Sequence, residues 1–204
     1  MPYLREEPDI FPLDLFERED LGIEEDCGWW GMYTRSRQEK KLMEQLRTLE
    51  IDFYCPIARV RRRTPAGRIH TAHLPIFSNY VFVHGNEMDR YRAVSTGRVS
   101  KCLKVIDGIA LTRELRQLQQ LLSKGKLVRP EARLQPGKPV RIRSGPLRNI
   151  EGAIIRREGK SRLLISVKFL EQGASVALED WEVEPLGRVV TAERMRGDVT
   201  INAS

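Results

Sequence analysis

Two different hydrophobic patterns divide this sequence near residue 125, and that division limits the possible fold more than any other feature. Before it, stretches with helical spacing of apolar residues alternate with runs of β-forming residues. From Gly137 onward, the apolar residues occur only in short β-rich segments. A chain of 204 residues is long enough for two small domains. The patterns therefore predict an α+β domain followed by a small β domain.

The first domain is predicted over residues 29–124. Aromatic residues favour a strand at Trp29–Thr34, and Ser36 with Glu39 has the spacing of a capping box that opens a helix. A later amphipathic helix begins near Thr112 and ends at Gly125. The order of strands and helices predicts a ferredoxin-like antiparallel sheet sandwich.

The second domain is predicted over residues 137–186 as a small five-stranded β-barrel, because five short strands are best protected when the sheet closes its own edges. Residues 125–136 contain two prolines and no apolar period, which predicts a linker. Residues 1–28 are predicted to be an acidic flexible extension, and residues 187–204 a flexible tail.

Charge is distributed unevenly along the chain. Residues 1–28 hold ten acidic and two basic residues, a net charge of −8, whereas the remainder holds 33 basic and 18 acidic residues, a net charge of +15. A body this basic favours nucleic acid or another polyanion as a neighbour, although surface charge can also serve solubility alone.

Several classes of protein do not fit the sequence. It has no secretory leader and no run as long as a membrane span, which predicts a cytoplasmic protein. Phosphate-binding GxxxxGK and nucleophile GxSxG motifs are absent, so neither an enzyme nor a cofactor is expected. The pair His70 and His73 lacks nearby cysteine or carboxylate ligands, so a basic loop is favoured over a metal site.

The first block resembles the N-terminal domain of the NusG family. The resemblance lies in Trp29–Arg35, the following Glu39–Lys41, Cys55-Pro56 and Pro75–Val83, and the last stretch is most similar to the specialised paralogues typified by RfaH. Residues 137–153 resemble a KOW motif, in which Gly145-Pro146 forms a turn and Gly152 precedes the next strand. The resemblance implies a NusG/RfaH-type transcription elongation or antitermination factor with an SH3-like KOW barrel.

The resemblance also implies a polymerase-binding surface. In the family an apolar patch contacts the clamp helices of the RNA polymerase β′ subunit, and the matching residues here are Tyr33, Phe77, Tyr80 and Phe82. Alternate residues of a strand face opposite sides, so Tyr80 and Phe82 share one face while Val81 and Val83 share the other. One pair can fill the core and leave the other exposed as an interface.

Arginines suggest a second surface, which would contact upstream or non-template DNA. Guanidinium groups bind phosphates well, and no acidic residue lies between Arg59 and His73. The candidate nucleic-acid-binding residues are Arg35, Arg59, Arg61, Arg62, Arg63, Arg68 and Arg98. The alternative for this segment is a solvated loop.

The resemblance places a third surface at Phe169 and Leu170, where the family presents an apolar pair to a ribosomal protein or to the terminator Rho. The alternative for this pair is that it folds inward. Basic residues of the second domain leave open an alternative function, a ribosome-associated or free RNA-binding KOW protein. The long extension and the Phe77 region favour an operon-specific paralogue over a general NusG.

Overall fold

A computed structural model describes residues 8–19, 21, 23, 26–63, 67–125, 128–133, 137–178 and 183–186, without the side chains of residues 60–63 and 69–71. The helices are α1 (Glu39–Thr48), α2 (Glu87–Ser95) and α3 (Gly108–Ser123). The strands are β1 (Ile10–Phe11), β2 (Gly28–Thr34), β3 (Asp52–Tyr54), β4 (Ile57–Arg63), β5 (Ile69–Pro75), β6 (Tyr80–Gly85), β7 (Val99–Lys104), β8 (Val128–Glu131), β9 (Lys138–Ile142), β10 (Glu151–Arg157), β11 (Lys160–Val167), β12 (Gln172–Ala177) and β13 (Val183–Pro185).

The N-terminal sheet has the strand order β1-β3-β6-β2-β7, with antiparallel neighbours throughout. One side of it, the helix face, is covered by α1 and α2. Its side chains include Trp30, Met32 and Val83, which pack with Leu42 and Leu46 of α1. The leucine spacing of α1 puts these side chains on one side of the helix, and their burial stabilises each by about 1.5–3 kcal/mol.

The other side of this sheet, the aromatic face, bears Trp29, Gly31 and Tyr33 on β2 with Tyr80 and Phe82 on β6. The register places Tyr33 opposite Tyr80 and Gly31 opposite Phe82, and directly opposed residues point to the same side. Helix α3 packs against β2 through its leucines, which belong to one apolar cluster with Trp29 and Phe82.

Helix starts differ from the sequence expectation. Helix α1 begins at Glu39, its N-cap is Gln38, and no side chain caps it, so the predicted capping box at Ser36 is wrong. The carboxylate of Glu39 instead accepts the backbone N–H of Asn79 at 2.9 Å. A capping box is present on α2, where the Asn86 side chain accepts from Met88 and Asp89 and the Asp89 carboxylate accepts from Asn86.

The segment before residue 28, predicted to be a flexible extension, contributes two elements. Strand β1 pairs with β3, and the 3-10 turn Leu15–Glu17 places Leu15 and Phe16 against the aromatic face. Apolar residues spaced among the acids account for this packing, because a short acidic segment can still bury a few large side chains. Arg18 also forms an ion pair with Asp52, with Nη1 and Oδ2 2.6 Å apart.

The C-terminal sheet has the strand order β13-β9-β10-β11-β12-β8, again antiparallel. Strand β8 lies within the predicted linker and pairs with β12, so this sheet has six strands where five were expected. Arg157 and Ser175 both contact Glu131 of β8, which explains the attachment of this segment to the sheet.

The chain is therefore a mixed α/β protein with antiparallel sheets and, over the described ranges, three α-helices. The ferredoxin-like sandwich and the SH3-like barrel stay predictions. None of the described helices has the length and apolarity needed to cross a membrane.

The capping assignments of α1 and α2 predict different losses of stability on substitution. Asn86→Ala removes the acceptor of two N–H groups of α2 and should lower the free energy of unfolding by about 1 kcal/mol. Ser36→Ala removes no cap and should change it by less than about 0.5 kcal/mol. Urea unfolding of both variants measures the difference, and equal losses would contradict this capping assignment.

Candidate functional site

The four residues expected to contact polymerase lie together on the aromatic face. The rings of Tyr33 and Tyr80 meet edge to face, with centroids 5.1 Å apart, and both side chains are half-buried. Phe77 and Phe82 meet edge to face at 6.1 Å, and each has 1% or less of its surface exposed. The tyrosines are thus accessible, whereas the phenylalanines are covered in this conformation.

A tight turn before β6 places the Phe77 ring against Phe82 on the aromatic face. Asn79 has a φ of +65°, a conformation that asparagine tolerates better than most residues. Its carbonyl accepts the N–H of Thr34 at 2.7 Å, and the Phe77 carbonyl accepts the N–H of Tyr80 at 3.1 Å. The turn is therefore tied to β2, and the Phe77 ring packs against Phe82.

Phe169 lies in the 3-10 turn Lys168–Leu170, which joins β11 to β12, and packs onto this face at Gly31. A Cβ placed on Gly31 would lie 2.5 Å from Cε1 of Phe169, closer than real Cβ atoms come to other atoms. The ring therefore occupies the space that a side chain at position 31 would need. Glycine within a strand often marks such a close approach, so Gly31 is a signal from which the contact could have been predicted, although it was not.

Two side chains of α3 accept hydrogen bonds from the C-terminal part of the chain, beside the Phe169 contact. The backbone N–H of Lys168 donates to Oε2 of Glu114 at 3.0 Å, and that of Glu151 donates to Oε1 of Gln117 at 2.7 Å. Glu114 is 8% exposed, and burial raises the pKa of its carboxyl above 4.5, its ordinary value, although the Lys168 N–H acts in the opposite direction. The sequence did not indicate either side chain.

The polymerase-binding and partner-binding residues predicted from the sequence are thus brought together. Phe169 and Leu170 are half-buried and join the same apolar cluster as Phe82 and the leucines of α3. In this arrangement each predicted surface covers part of the other.

The predicted basic hairpin is present, formed by β4 and β5 in antiparallel pairing from Ile57↔Pro75 to Arg63↔Ile69. Arg59 and Arg68 are exposed on it, and Arg35 is exposed at the end of β2. Arg61, Arg62 and Arg63 lie on β4, but their side chains fall outside the described part of the chain.

Arg98 stands apart from the other candidate arginines because its guanidinium is bonded within the domain. Nη1 donates to Oε1 of Gln38 at 3.0 Å and Nε to Oε1 of Gln45 at 3.4 Å, and the side chain is half-buried. Its carbonyl also accepts the N–H of Arg35 at 2.9 Å. Arg98 therefore positions the turn that carries Arg35 at the start of α1.

Among the described residues, no group of three or more His, Cys, Asp or Glu side chains is placed to hold a metal ion. His73 lies on β5, and the side chain of His70 falls outside the description. Burial raises the pKa of the Cys55 thiol, which keeps it protonated in the core.

Comparison with protein families identifies a match over the N-terminal half of the chain. A family model described as "Transcription termination factor nusG" matches residues 28–122, from β2 to the last turn of α3. That range contains the aromatic face and the hairpin but neither Phe169 nor Leu170. No curated protein matches the chain.

The buried carboxyl of Glu114 predicts a pH dependence. A raised pKa in the folded state means that its contribution to stability is present at acid pH and is lost as the pH rises through that pKa. Glu114→Gln keeps an oxygen acceptor for Lys168 without a charge, so it should be more stable than wild type at neutral pH. Urea midpoints should converge below pH 4.5, the ordinary pKa of the carboxyl, and diverge as the pH rises. A pH-independent difference would contradict this role.

Proposed function

We infer a role in transcription, because residues 28–122 of this chain are a NusG-family domain. The family consists of non-enzymatic transcription termination and elongation factors, which interact with RNA polymerase. We propose that this chain is a cytoplasmic elongation or antitermination factor that binds the β′ clamp helices of the polymerase through its aromatic face. The observation that supports this most is the grouping of Tyr33, Phe77, Tyr80 and Phe82 on one side of the NusG-type sheet.

The proposed interface needs a change in arrangement before it can be fully used. Tyr33 and Tyr80 are half-buried, and Phe169 lies against Gly31 of β2, the strand between β6 and β7. Polymerase and the C-terminal sheet would therefore compete for the same face. The contact comprises the Phe169 ring, apolar packing of the α3 leucines with the C-terminal sheet and two hydrogen bonds, and we propose that it opens without unfolding either sheet.

We propose that Phe169 and Leu170 recruit a partner once the C-terminal sheet has left the aromatic face. Aromatic residues such as Phe169 are enriched in protein interfaces, and the family resemblance gives a ribosomal protein or Rho as the partner class. Both side chains are half-buried against the aromatic face. A partner would therefore reach the Phe169 ring only after the C-terminal sheet has left that face. Polymerase binding and partner binding would then favour one another.

The hairpin is proposed to lie along upstream or non-template DNA. Supporting this role, Arg59, Arg68 and Arg35 are exposed, and β4 carries three further arginines in succession. Phosphate contacts of this kind position a protein on DNA without reading the base sequence. Arg98 would act indirectly, through its hold on the turn that carries Arg35.

The alternative function, RNA binding by the C-terminal sheet, has weaker support. Several arginines of that sheet are ion-paired: Arg141 with Glu151 and Glu184, Arg157 with Glu131, and Arg129 with Glu158. Carboxylates beside these guanidinium groups offset the charge that phosphates would need.

The competition for the aromatic face can be tested on the full chain. Gly31→Ala places a methyl group where the Phe169 ring lies and should displace it, which raises polymerase affinity by roughly tenfold. Phe169→Ala should also raise polymerase affinity, because it removes the ring that covers Gly31. Gly28→Ala is the matched control, because it lies on the same strand with nothing within 4 Å of the added atom.

Polymerase binding itself is tested by Tyr33→Ala with Tyr80→Ala in the Gly31→Ala background, which should lower affinity by at least about tenfold. Phe82 is unsuitable for this purpose, because its truncation would cost about 3–5 kcal/mol of stability. Biolayer interferometry with the cognate polymerase measures all variants. Tight binding by the double tyrosine variant would exclude the aromatic face as the interface.

The hairpin is tested by replacing Arg61, Arg62 and Arg63 with Ala. If these charges neutralise phosphates, the slope of log affinity against log salt should shrink by up to about 0.9 per lost contact on duplex DNA, equally for all sequences. The measurement is a salt titration on a scaffold with an exposed non-template strand. An unchanged slope would move the DNA contact to Arg35 or to the C-terminal sheet.

A further inference from the structure

Three exposed hydrophobic side chains occur in the short segment where β7 leads into α3, and the surfaces proposed above do not include them. Leu103 is 39% exposed, Ile109 61% and Ile106 101%. They fall within seven consecutive residues, and we call them the β7–α3 corner. The other exposed large hydrophobic residues of the described part lie on the N-terminal segment or on α2: Leu13, Ile23, Met88 and Tyr91.

The backbone holds this corner in place. The N–H of Val105 donates to the carbonyl of Trp29 at 2.9 Å, which ties the end of β7 to β2. Asp107 then caps α3, with Oδ1 accepting the N–H of Ala110 at 2.8 Å. A fixed turn therefore displays Ile106, and a β-branched side chain on a fixed backbone loses little freedom when a partner binds it.

The corner continues the aromatic face beyond the area that Phe169 covers. Leu103 is the register partner of Gly31, and Lys101 is the partner of Tyr33, so both point to that side of the sheet. Leu103, Ile106 and Ile109 stay accessible in the arrangement in which Phe82 is buried. A partner of the aromatic face can therefore reach the corner first.

Positive charge borders the corner on two sides. Lys101 is exposed two residues from Leu103 on the same face, and Arg113 is exposed one helical turn after Ile109. The carboxylate of the intervening Asp107 is engaged in the helix cap. An apolar centre with a cationic border fits an amphipathic protein segment with acidic flanks. It does not fit a phosphate backbone, for which isoleucine offers no contact.

We propose that the β7–α3 corner is the landing site of RNA polymerase on the closed protein. An apolar polymerase helix with acidic flanks contacts Ile106, Ile109 and Leu103 before the C-terminal sheet leaves the aromatic face. This inference rests on the proposed function and adds to it the surface of first contact. The corner then governs the rate of association, while the aromatic face governs how long the complex lasts.

The test measures association rates with the cognate polymerase for the full chain and for its Gly31→Ala variant. Ile106→Glu with Ile109→Glu should slow association about tenfold in both backgrounds. Met88→Glu is the matched control: Met88 is 64% exposed on α2, which packs on the opposite side of the sheet, and the rate should not change. Lys101→Glu with Arg113→Glu should also slow association and weaken its salt dependence.

The outcomes separate this inference from the proposed function. If the unmodified and Gly31→Ala proteins bind polymerase and the corner variants associate at the same rate, the landing site is excluded and the proposed function stands. Equal slowing by Met88→Glu also excludes it. Absence of binding by every variant overturns both proposals. A self-association of the protein in sedimentation that Ile106→Glu abolishes would assign the corner to a second copy of the chain and overturn the inference.

Discussion

The indole of Trp29 joins the N-terminal sheet to α3 and to the segment that precedes β2. It is fully buried, its Nε1 donates to the Thr112 hydroxyl of α3 at 2.8 Å, and its ring packs against Phe16 and His84. A buried indole N–H without an acceptor costs about 1–3 kcal/mol, so this bond fixes α3 on the aromatic face. Glu114 and Gln117 lie on that helix, and their bonds to the C-terminal sheet depend on its position.

The position of α3 links the two proposed interfaces, the aromatic face and the pair Phe169 and Leu170. Helix α3 packs against both β2 and β11, so a single row of leucines supports the N-terminal sheet and the C-terminal sheet together. The C-terminal contact also includes Phe169, which fills the space above Gly31, and two side-chain acceptors, one of which is a buried carboxyl. Each of these can be altered by one substitution without removing a residue from the core of either sheet.

Prediction from the sequence succeeded where local pattern and burial agree. Strand alternation correctly separated Tyr80 and Phe82 from Val81 and Val83. The spacing of apolar residues located α1 and α3, although α3 begins at Gly108, one turn before the predicted Thr112, because Asp107 caps it. It failed at Ser36, where a capping motif was present but the helix began later, since a cap needs backbone geometry as well as residue type. It also treated Arg98 like the other arginines, because a partner such as Gln38, sixty positions earlier in the chain, leaves no local signal.

The sequence by itself determined the NusG-type character of residues 28–122, the identity of the two faces of the N-terminal sheet and the basic hairpin. These depend on residue order, strand periodicity and turn chemistry, which act over a few positions. Only the tertiary structure decided that Phe82 is covered, that β8 joins the C-terminal sheet and that Ile106 is fully exposed. Exposure depends on which distant segments pack together, and apolar residues look the same in a sequence whether they are buried, covered by another sheet or open to a partner.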